Sequence, residues 1–392
     1  MEQQLELFDF NAPIALEDLF EAYFECRKHK RKTLNALSFE VDYEHNLIEL
    51  WQQINNGTYK IGRSIAFIVE KPVKREIFAA DFRDRVVHHL VIRKLEQYFE
   101  KVFSPNSCSC RKGKGTLYAV KRVADYIQKR AKQANGECYV LKMDIQAFFM
   151  SIDCNLLCRK LLEFVEQYYM KSDKNLVKKL VEMIVLNRPQ YSCIRRGKYS
   201  SWDGLPRHKS LFYAADMNGM PIGNLTSQIF ANFYLNDLDG YVDSLPQVDY
   251  VRYVDDFVLI GNSKDTLKKL IAKIRELLKQ KLSLVLHPKK IYLQHYQKGV
   301  NFVGVRLKGA LILAGNRLKR NFFEKITEMN LKKGKVTSKR AEDTRAFFNS
   351  YCGYMIHLNA YNLRMRGWRL LKNELQNCFL YVKNCAYVVM KG

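Results

Sequence analysis

Residues 251–260 constrain the fold of this chain more strongly than any other segment. They contain two apolar runs separated by Asp255 and Asp256. Apolar runs on both sides of two turn-tolerant residues predict a β-hairpin that carries the two carboxylates at its tip. Adjacent anions repel one another, so a divalent metal ion is the simplest species to hold them, with an ordinary solvated turn as the alternative. The apolar flanks favour the metal ion, because they place the tip beside a core.

A third carboxylate follows a short apolar segment. Residues 139–143 are predicted to form a strand, Asp144 comes directly after it, and Phe148 and Phe149 lie just beyond. An isolated aspartate at the end of a strand is more often a cap or a turn residue. If this strand pairs beside the hairpin, however, three carboxylates converge, and such a cluster binds two Mg²⁺ ions roughly 3.5–4 Å apart. That arrangement is suited to activating a hydroxyl group for attack on a triphosphate.

Residues 219–228 predict a glycine-containing loop that leads into an apolar helix over 225–239. Gly219 and Gly223 allow the backbone to approach a nucleotide or a strand closely. By itself this pattern is more often only the entry to a helix. Three polar side chains are available to cap that helix, namely Asn224, Thr226 and Ser227.

The composition predicts a polyanionic partner. Lys and Arg number 65 against 40 Asp and Glu, a formal excess of +25. Such an excess raises self-repulsion unless a polyanion neutralises it. Nucleic acid is therefore favoured over the alternative of a basic but solvated surface.

The sequence also predicts a cytoplasmic protein without a membrane partner. No segment reaches the roughly 18 uninterrupted apolar residues of a membrane helix. Residues 1–10 are acidic and apolar, and they lack the features of a signal peptide. The ten cysteines are irregularly spaced, so we expect reduced thiols rather than disulfides or a zinc site.

The order of predicted elements indicates a mixed chain without the regular strand–helix alternation of a doubly wound sheet. Helices are predicted over 14–36, 84–102, 117–131, 155–187, 225–239 and 265–280. Strands are predicted at 59–61, 65–69, 76–79 and 139–143, a hairpin over 248–261 and short strands over 300–313, with mostly helical chain after 317.

The three acidic and glycine segments, in this order, resemble the palm motifs of reverse transcriptases. Asp144 matches the first catalytic motif, and residues 253–256 match the Tyr-x-Asp-Asp box. The glycine motif departs from the family, since Ile222 stands in place of a glutamine and Gln228 in place of a proline. That departure resembles the reverse transcriptases of diversity-generating retroelements. Further segments with the same likeness are 74–89, 110–116, 205–212 and 349–361, so that the resemblance covers about residues 55–366.

The resemblance implies an α+β fold, a right-hand polymerase with fingers, a palm of antiparallel sheet plus helices, and a helical thumb. It divides the chain into an N-terminal helical extension (1–54), fingers (55–138), a palm (139–315) with a fingers insertion around 155–218, and a thumb with C-terminal tail (316–392).

The resemblance also implies the residues of the active site. Asp144, Asp255 and Asp256 would be catalytic and, together with Ile145, would hold two Mg²⁺ ions. Phe149 would be a steric gate that excludes a 2′-hydroxyl, with plain core packing as the alternative. Nucleotide-binding residues would be Arg75, Lys74, Phe149, Ile222, Gly223 and Gln228. Of these, Arg75 would grip the triphosphate. A solvated face is the alternative for both basic residues, and it is favoured for Lys74.

Ile222 has a predicted consequence for fidelity. An isoleucine cannot make the hydrogen bonds by which a glutamine braces the nascent base pair, so geometric checking of that pair should relax. The related enzymes make errors opposite template adenines, and the resemblance implies the same errors here. The alternative is an apolar contact without effect on fidelity.

Two basic segments are predicted to bind nucleic acid. Arg111, Lys112 and Lys114 lie in a glycine-punctuated loop that would follow the template phosphates. Arg317, Lys319 and Arg320 open the basic thumb segment, where a solvated charge run is the alternative. The nearby aromatic stripe over 345–361 is predicted to be thumb core.

The sequence therefore predicts an RNA-directed DNA polymerase that copies a template-repeat RNA into adenine-mutagenised cDNA. Its partners would be template RNA, RNA/DNA duplex, deoxynucleoside triphosphates and, by resemblance, a small basic oligomeric accessory protein. One alternative is another bacterial reverse transcriptase, from a group II intron or an antiphage system; an intron enzyme would need a maturase extension. A non-catalytic RNA-binding protein with a similar palm is a second alternative, and a palm-fold nucleotide cyclase is a third.

Overall fold

The computed structural model describes residues 13–28, 33–71, 73–332, 334–382 and 386–391. Its helices are α1 (Leu16–Arg27), α2 (Leu34–Glu40), α3 (Tyr43–Asn55), α4 (Phe82–Val102), α5 (Thr116–Gln133), α6 (Phe148–Ser151), α7 (Cys154–Tyr168), α8 (Lys174–Leu186), α9 (Leu225–Tyr234), α10 (Asn236–Asp243), α11 (Lys264–Leu282), α12 (Asn316–Leu331), α13 (Ser338–Met355), α14 (Tyr361–Leu370) and α15 (Asn373–Gln376).

The strands are β1 (Ile65–Val69), β2 (Arg75–Ala79), β3 (Tyr139–Asp144), β4 (Ile194–Arg195), β5 (Val248–Tyr253), β6 (Asp256–Gly261), β7 (Tyr292–His295), β8 (Val300–Phe302), β9 (Val305–Lys308), β10 (Leu311–Ala314), β11 (Phe379–Val382) and β12 (Tyr387–Met390). Short 3₁₀ turns lie at Pro189–Tyr191, Tyr199–Trp202, Arg207–Lys209, Leu211–Tyr213 and Tyr296–Lys298.

The described residues form two compact units, each built from three stretches of chain. The first unit draws on Met1–Cys110, Ile145–Tyr241 and Lys273–His287. The second unit draws on Arg111–Asp144, Val242–Ala272 and Pro288–Gly392. The predicted boundaries of extension, fingers, palm and thumb stay predictions, and residues 1–12 of that extension lie outside the described part.

The first unit is organised around helix α4. Asp81 caps this helix, since its side chain accepts a hydrogen bond from the backbone N–H of Arg83. Helices α1, α8 and α9 pack against α4. The buried Lys94 of α4 donates to Asp18 of α1 and, at 2.6 Å, to Asp173 before α8. A buried ammonium with two carboxylate partners fixes α1 and the start of α8 to the same point of α4.

A second feature of the first unit is the three-stranded sheet β2-β1-β4. Strands β1 and β2 are antiparallel, whereas the two-residue β4 runs parallel to β1. Glu76 of β2 is 2% exposed, and its carboxylate accepts three hydrogen bonds. The donors are Trp202 Nε1 at 2.8 Å, Ser210 Oγ at 2.8 Å and Leu211 N at 2.6 Å. These bonds satisfy a buried charge and dock the irregular segment 199–213 on the sheet.

His88 provides a prediction about stability. It is buried on α4, and its Nδ1 lies 3.2 Å from Thr226 Oγ1 of α9. Burial, with smaller contributions from His89 and Arg85, lowers the pKa of His88 from 6.5 to about 3. The folded state therefore holds a neutral ring, while the unfolded chain takes up a proton below its ordinary pKa. This contribution to stability is complete above that value and is lost as the pH falls from there towards the folded pKa.

We expect wild-type protein to lose about 2 kcal/mol of unfolding free energy relative to His88→Gln between pH 7 and pH 5. Urea unfolding of both proteins at the two pH values measures the difference. Equal pH dependence of the two proteins would show that burial does not keep this ring neutral.

The second unit contains a four-stranded antiparallel sheet in the order β5-β6-β3-β7. Helix α5 packs against β5 and β6. Val140 and Leu141 of β3, and Val258 and Leu259 of β6, are at most 1% exposed. Because neighbouring residues of a strand point to opposite faces, burial at successive positions shows that both faces of the central strands are covered.

The second unit also contains the meander β8-β9-β10, the hairpin β11-β12 and helices α12 to α15. Phe322 of α12 contacts Phe347, Phe348 and Tyr351 of α13, with ring centroids 5.4–5.9 Å apart. The aromatic stripe predicted as thumb core therefore packs within this unit.

Three predicted helices are interrupted. The helix predicted over 14–36 ends at Arg27 as α1, and chain after the undescribed residues 29–32 forms α2. The helix predicted over 155–187 is divided between α7 and α8, where Tyr169 donates to Asp173. The helix predicted over 225–239 ends at Tyr234, and α10 follows. Within the described residues, no helix combines the length and hydropathy needed to cross a bilayer, and the nine described cysteines are free thiols.

Candidate active site

The predicted acidic hairpin is present in the second unit as β5 and β6. Tyr253 pairs with Asp256, so the two-residue turn consists of Val254 and Asp255. The tip therefore lies one residue earlier than the Asp255–Asp256 pair suggested, because Asp256 is already the first residue of β6. Val254 has a φ of +59°, a strained conformation for a β-branched residue that costs about 1–3 kcal/mol. Strain of this kind is maintained where a turn must hold a functional group.

A buried arginine supports this turn from β5. Arg252 is completely buried, and its Nη1 donates a 3.0 Å hydrogen bond to the backbone carbonyl of Val254. The guanidinium group thereby fixes the peptide that joins Val254 to Asp255. The sequence offered no signal for this role, since a basic residue in a strand is usually exposed.

Asp144 of β3 lies directly opposite Asp256 on the neighbouring strand β6. The antiparallel register of β3 and β6 pairs these two residues at the end of the ladder. Since side chains alternate along a strand, Lys142, Asp144 and Asp256 project from the same face of the sheet. The predicted proximity of the acidic residues is thus observed, and it depends on a pairing between chain positions more than 100 residues apart.

Two lysines neutralise these carboxylates. Lys142 Nζ lies 3.0 Å from Asp256 Oδ2 and also donates to the carbonyl of Asn301. Lys290 Nζ donates to both oxygens of Asp144 at 3.0 Å. Neither lysine was predicted from the sequence. Strand alternation places Lys142 beside Asp144 and could have revealed it, whereas Lys290 comes from a loop and carried no signal.

Asp256 has an unusual environment. Burial raises its pKa from 3.8 to about 6; Lys142 opposes the shift, and Asp144 and Asp255 add to it. Asp144 and Asp255 therefore both repel the negative charge of Asp256. The buried Oδ1 of Asp256 has no hydrogen-bond partner among the described residues. A buried carboxylate oxygen without a donor is suited to accept a cation.

The donor set suits a hard divalent cation. The described residues contain no cluster of three or more His, Cys, Asp or Glu side chains already disposed as metal ligands. Nevertheless, Mg²⁺ prefers carboxylate oxygens as ligands. Asp144 and Asp256 provide such oxygens at one end of the two central strands, and one of these oxygens has no hydrogen-bond partner among the described residues. Ile145, also predicted in the metal set, is buried and forms a β-bridge with Leu286 in the first unit. An isoleucine could contribute only its backbone carbonyl oxygen.

The first unit brings together two predicted nucleotide-binding residues. Phe149 and Ile222 are half-buried, and both pack against a cluster of buried apolar side chains from β1, β2, α6 and the 3₁₀ turn at 211–213. Ile222 is further fixed by its carbonyl, which accepts from Phe78 N at 2.9 Å. Phe148, in contrast, is 2% exposed and belongs to the core. The structure thus separates the two phenylalanines into one core residue and one at the margin of a cluster.

The local geometry at position 223 requires a glycine, because it leaves no room for a side chain. The φ of Gly223 is +129°, and an added Cβ would lie 2.7 Å from Ile77 Cγ2 and 3.3 Å from the carbonyl oxygen of Phe78. The next residue, Asn224, occupies the N-cap position of α9 but makes no capping bond. Its side chain instead bonds to Ala80 N and the Phe78 carbonyl. The loop before α9 is therefore clamped to the end of β2.

The remaining nucleotide-binding candidates lie at the surface of the first unit. Arg75 begins β2 and is exposed. Lys74 donates to the carbonyl of Asp203 at 2.7 Å and lies 3.3 Å from Glu70, so it is engaged within the protein. Gln228 is exposed on α9 and accepts a hydrogen bond from Cys110.

The nucleic-acid-binding candidates all lie in the second unit. Arg111, Lys112 and Lys114 form a tight turn before α5, in which Lys114 N donates to the Arg111 carbonyl. Two of the thumb candidates are exposed at the start of α12, and Arg320 lies 3.8 Å from Glu324. These two are Arg317 and Arg320, with Lys319 half-buried between them.

Known proteins provide an independent comparison. Apo telomerase from Candida tropicalis has a TM-score of 0.50 with 12% identity, over 79% of this chain and 56% of that chain. Telomerase from Candida albicans in complex with a TWJ fragment of telomeric RNA has a TM-score of 0.47 with 11% identity, over 86% of this chain and 62% of that chain. This chain thus spans less than two thirds of those telomerase chains. No curated protein sequence matches it.

At this identity the first likeness shows the fold alone, a mixed α+β polymerase fold of helices and antiparallel sheets, as predicted. The sequence pattern of the family described as reverse transcriptase (RNA-dependent DNA polymerase) matches residues 71–307. That match covers more than half of the chain and includes the three aspartates. This chain therefore belongs to the reverse transcriptase family.

Proposed function

We propose that this chain is the RNA-directed DNA polymerase of a diversity-generating retroelement, copying a template-repeat RNA into adenine-mutagenised cDNA. The register of the palm-like sheet supports the polymerase activity, since Asp144 lies opposite Asp256 and beside the turn that carries Asp255. The family supports the same reaction, because its members are nucleotidyltransferases. The retroelement assignment rests on the resemblance of the glycine motif and its Ile222.

In the proposed reaction Asp144, Asp255 and Asp256, with the carbonyl of Ile145, would hold two Mg²⁺ ions. Bound Mg²⁺ supplies activation of the primer 3′-hydroxyl and stabilises charge on the departing pyrophosphate. The protein contributes the carboxylates at one end of the central strands β3 and β6, and Lys142 and Lys290 balance their charge. Arg75 would orient the triphosphate through charge-assisted hydrogen bonds. Template and primer phosphates would contact Arg111, Lys112, Lys114, Arg317, Lys319 and Arg320.

The proposed partners extend beyond the substrates. A small basic oligomeric accessory protein is proposed on the resemblance alone, and the cytoplasmic location stays a prediction from the sequence.

Primer extension on an adenine-containing RNA template tests the proposal. In Mg²⁺, and with the accessory protein supplied if needed, we expect DNA products whose errors concentrate opposite template adenines. DNA products without an excess of errors opposite adenine would support the polymerase activity and contradict the retroelement assignment. Absence of any DNA product both with and without the accessory protein would contradict the polymerase activity itself.

Ile222 provides a sharper test of the mutagenic property. We expect Ile222→Gln to lower the error frequency opposite adenine, because an amide can hydrogen-bond the nascent pair where an alkyl group cannot. Ile48→Gln, a matched change at an exposed position of α3, should leave the errors unchanged. Undiminished adenine errors in Ile222→Gln would exclude this side chain as their cause.

Phe149 provides a prediction about sugar selectivity. We expect Phe149→Val to lower the discrimination between deoxynucleotides and ribonucleotides by about tenfold or more, because the ring no longer occupies the space of a 2′-hydroxyl. Single-nucleotide incorporation of dATP and ATP measures the ratio. Phe24→Ala, at a 48% exposed ring of α1, is the control. Unchanged selectivity in Phe149→Val would reduce Phe149 to a packing residue.

A further inference from the structure

Segment 188–213 of the first unit presents several aromatic rings to solvent. Tyr191, Tyr199 and Tyr213 are 72%, 75% and 62% exposed. Exposed rings grouped in one short segment are unusual, because solvent contact forfeits the stabilisation that burial would supply. Trp202 and Phe212, in contrast, pack against the buried cluster under β1 and β2 and act as anchors.

The same segment carries a strong positive charge. It contains six Lys and Arg residues against one Asp. Arg195 Cζ lies 4.0 Å from the ring centroid of Phe212 and 5.1 Å from that of Tyr199. Arg207 Cζ lies 5.0 Å from the ring centroid of Tyr213, the neighbour of Phe212 in the chain. Cations and rings therefore alternate over one continuous patch. We call this patch the aromatic–basic surface, formed by Arg195, Tyr199, Arg207, Phe212 and Tyr213.

The surface is held in place although it has almost no regular secondary structure. Strand β4 pairs with β1, and Glu76 accepts hydrogen bonds from Trp202, Ser210 and Leu211. Arg63 adds two bonds to the carbonyls of Ser192 and Cys193. Rings on a fixed support lose little conformational entropy when a ligand stacks on them.

We propose that the aromatic–basic surface binds a single-stranded segment of RNA, with bases stacked on the tyrosines and phosphates paired with the arginines. Unpaired bases expose the faces that such rings contact, whereas a duplex conceals them. An acidic phosphate backbone also matches the charge of the surface better than a typical protein partner does. The inference extends the proposed function and rests on it only in that both require RNA.

Fluorescence anisotropy of the full chain with a labelled 16-nucleotide single-stranded RNA, without nucleoside triphosphates, tests the inference. We expect Tyr199→Ala/Tyr213→Ala to weaken binding about 20-fold or more, since stacking is worth at least about fivefold per base. Tyr199→Phe/Tyr213→Phe should bind within about twofold of wild type, because the rings remain. Tyr168→Ala, at a 38% exposed ring of α7, should also bind normally.

Two further measurements keep the inference separate from general nucleic-acid binding. RNA that carries 5-iodouridine should crosslink within residues 188–213 of the wild-type chain. The slope of log K against log salt concentration should become shallower in Arg207→Ala/Lys209→Ala. The expected change is roughly 0.7 for each phosphate that these two cations neutralise in the wild-type complex. Wild-type affinity in the tyrosine-to-alanine variant, or crosslinks only elsewhere, would overturn the inference and assign the surface to a protein partner. Primer extension, which tests the proposed function, is measured separately from RNA binding. A negative result in one of these two assays therefore leaves the other interpretable.

Discussion

Replacement of Asp256 by Asn should lower primer extension by about 10³-fold or more while the protein remains folded. A metal-assisted reaction gains several kcal/mol from the charge of its bound ions, and each 1.36 kcal/mol corresponds to about tenfold in rate. An amide oxygen in place of the carboxylate removes the negative charge that would hold such an ion opposite Asp144. We expect a loss of the same order in Asp255→Asn.

The structure explains why this variant should fold. Asp256 Oδ1 is buried without a partner among the described residues, and burial raises its pKa to about 6. Asparagine removes an unfavourably buried charge, and Lys142 retains the Asn301 carbonyl as a partner. Thermal unfolding should therefore change little.

Asp265→Asn is the matched control for this loss. Asp265 lies in the first turn of α11, with a side chain that is 82% exposed. It should retain wild-type extension. More than a tenth of wild-type activity in Asp256→Asn, measured by single-turnover extension, would contradict the proposed role of this carboxylate.

The parts of the site that depend on local pattern were predictable from the sequence. The apolar runs on both sides of Asp255 and Asp256 predicted the hairpin over 248–261, and β5 and β6 occupy those positions. Asp153 directly precedes α7 in the sequence and caps it, since its side chain accepts a hydrogen bond from Leu156 N. In both cases the relevant partners lie within a few residues of each other, so short-range chemistry decides the outcome.

The parts that depend on distant pairing were not predictable in detail. The turn of the hairpin shifted by one residue because Asp256 is used in the ladder with Tyr253 and Asp144. Lys290 reaches Asp144 across 146 positions of the chain, and no periodic pattern marks it. The break between α7 and α8 similarly follows from Asp173, whose partner Lys94 lies on α4. A single sequence carries no direct record of such contacts.

Glu76 illustrates the same limit and provides the second large prediction. Its three donors lie 126 to 135 positions later in the chain, so that the sequence shows only an acidic residue within a strand. Hydrogen bonds to a charged acceptor contribute about 1.5–3 kcal/mol each, and buried donors left without one cost a similar amount. We therefore expect Glu76→Ala to destabilise the docking of segment 199–213 by about 3 kcal/mol or more.

Hydrogen–deuterium exchange distinguishes this local release from general unfolding. The Leu211 amide, which donates directly to Glu76, should lose protection in Glu76→Ala, together with its neighbours in 199–213. Amides of β3 and β6 should keep their protection, because that sheet makes its own ladder within the second unit. Glu70→Ala removes an exposed carboxylate five residues from β2 and should change neither set. Unchanged exchange at Leu211 would mean that the segment is held by its aromatic anchors and not by the buried charge, and single-stranded RNA binding should then also survive the substitution.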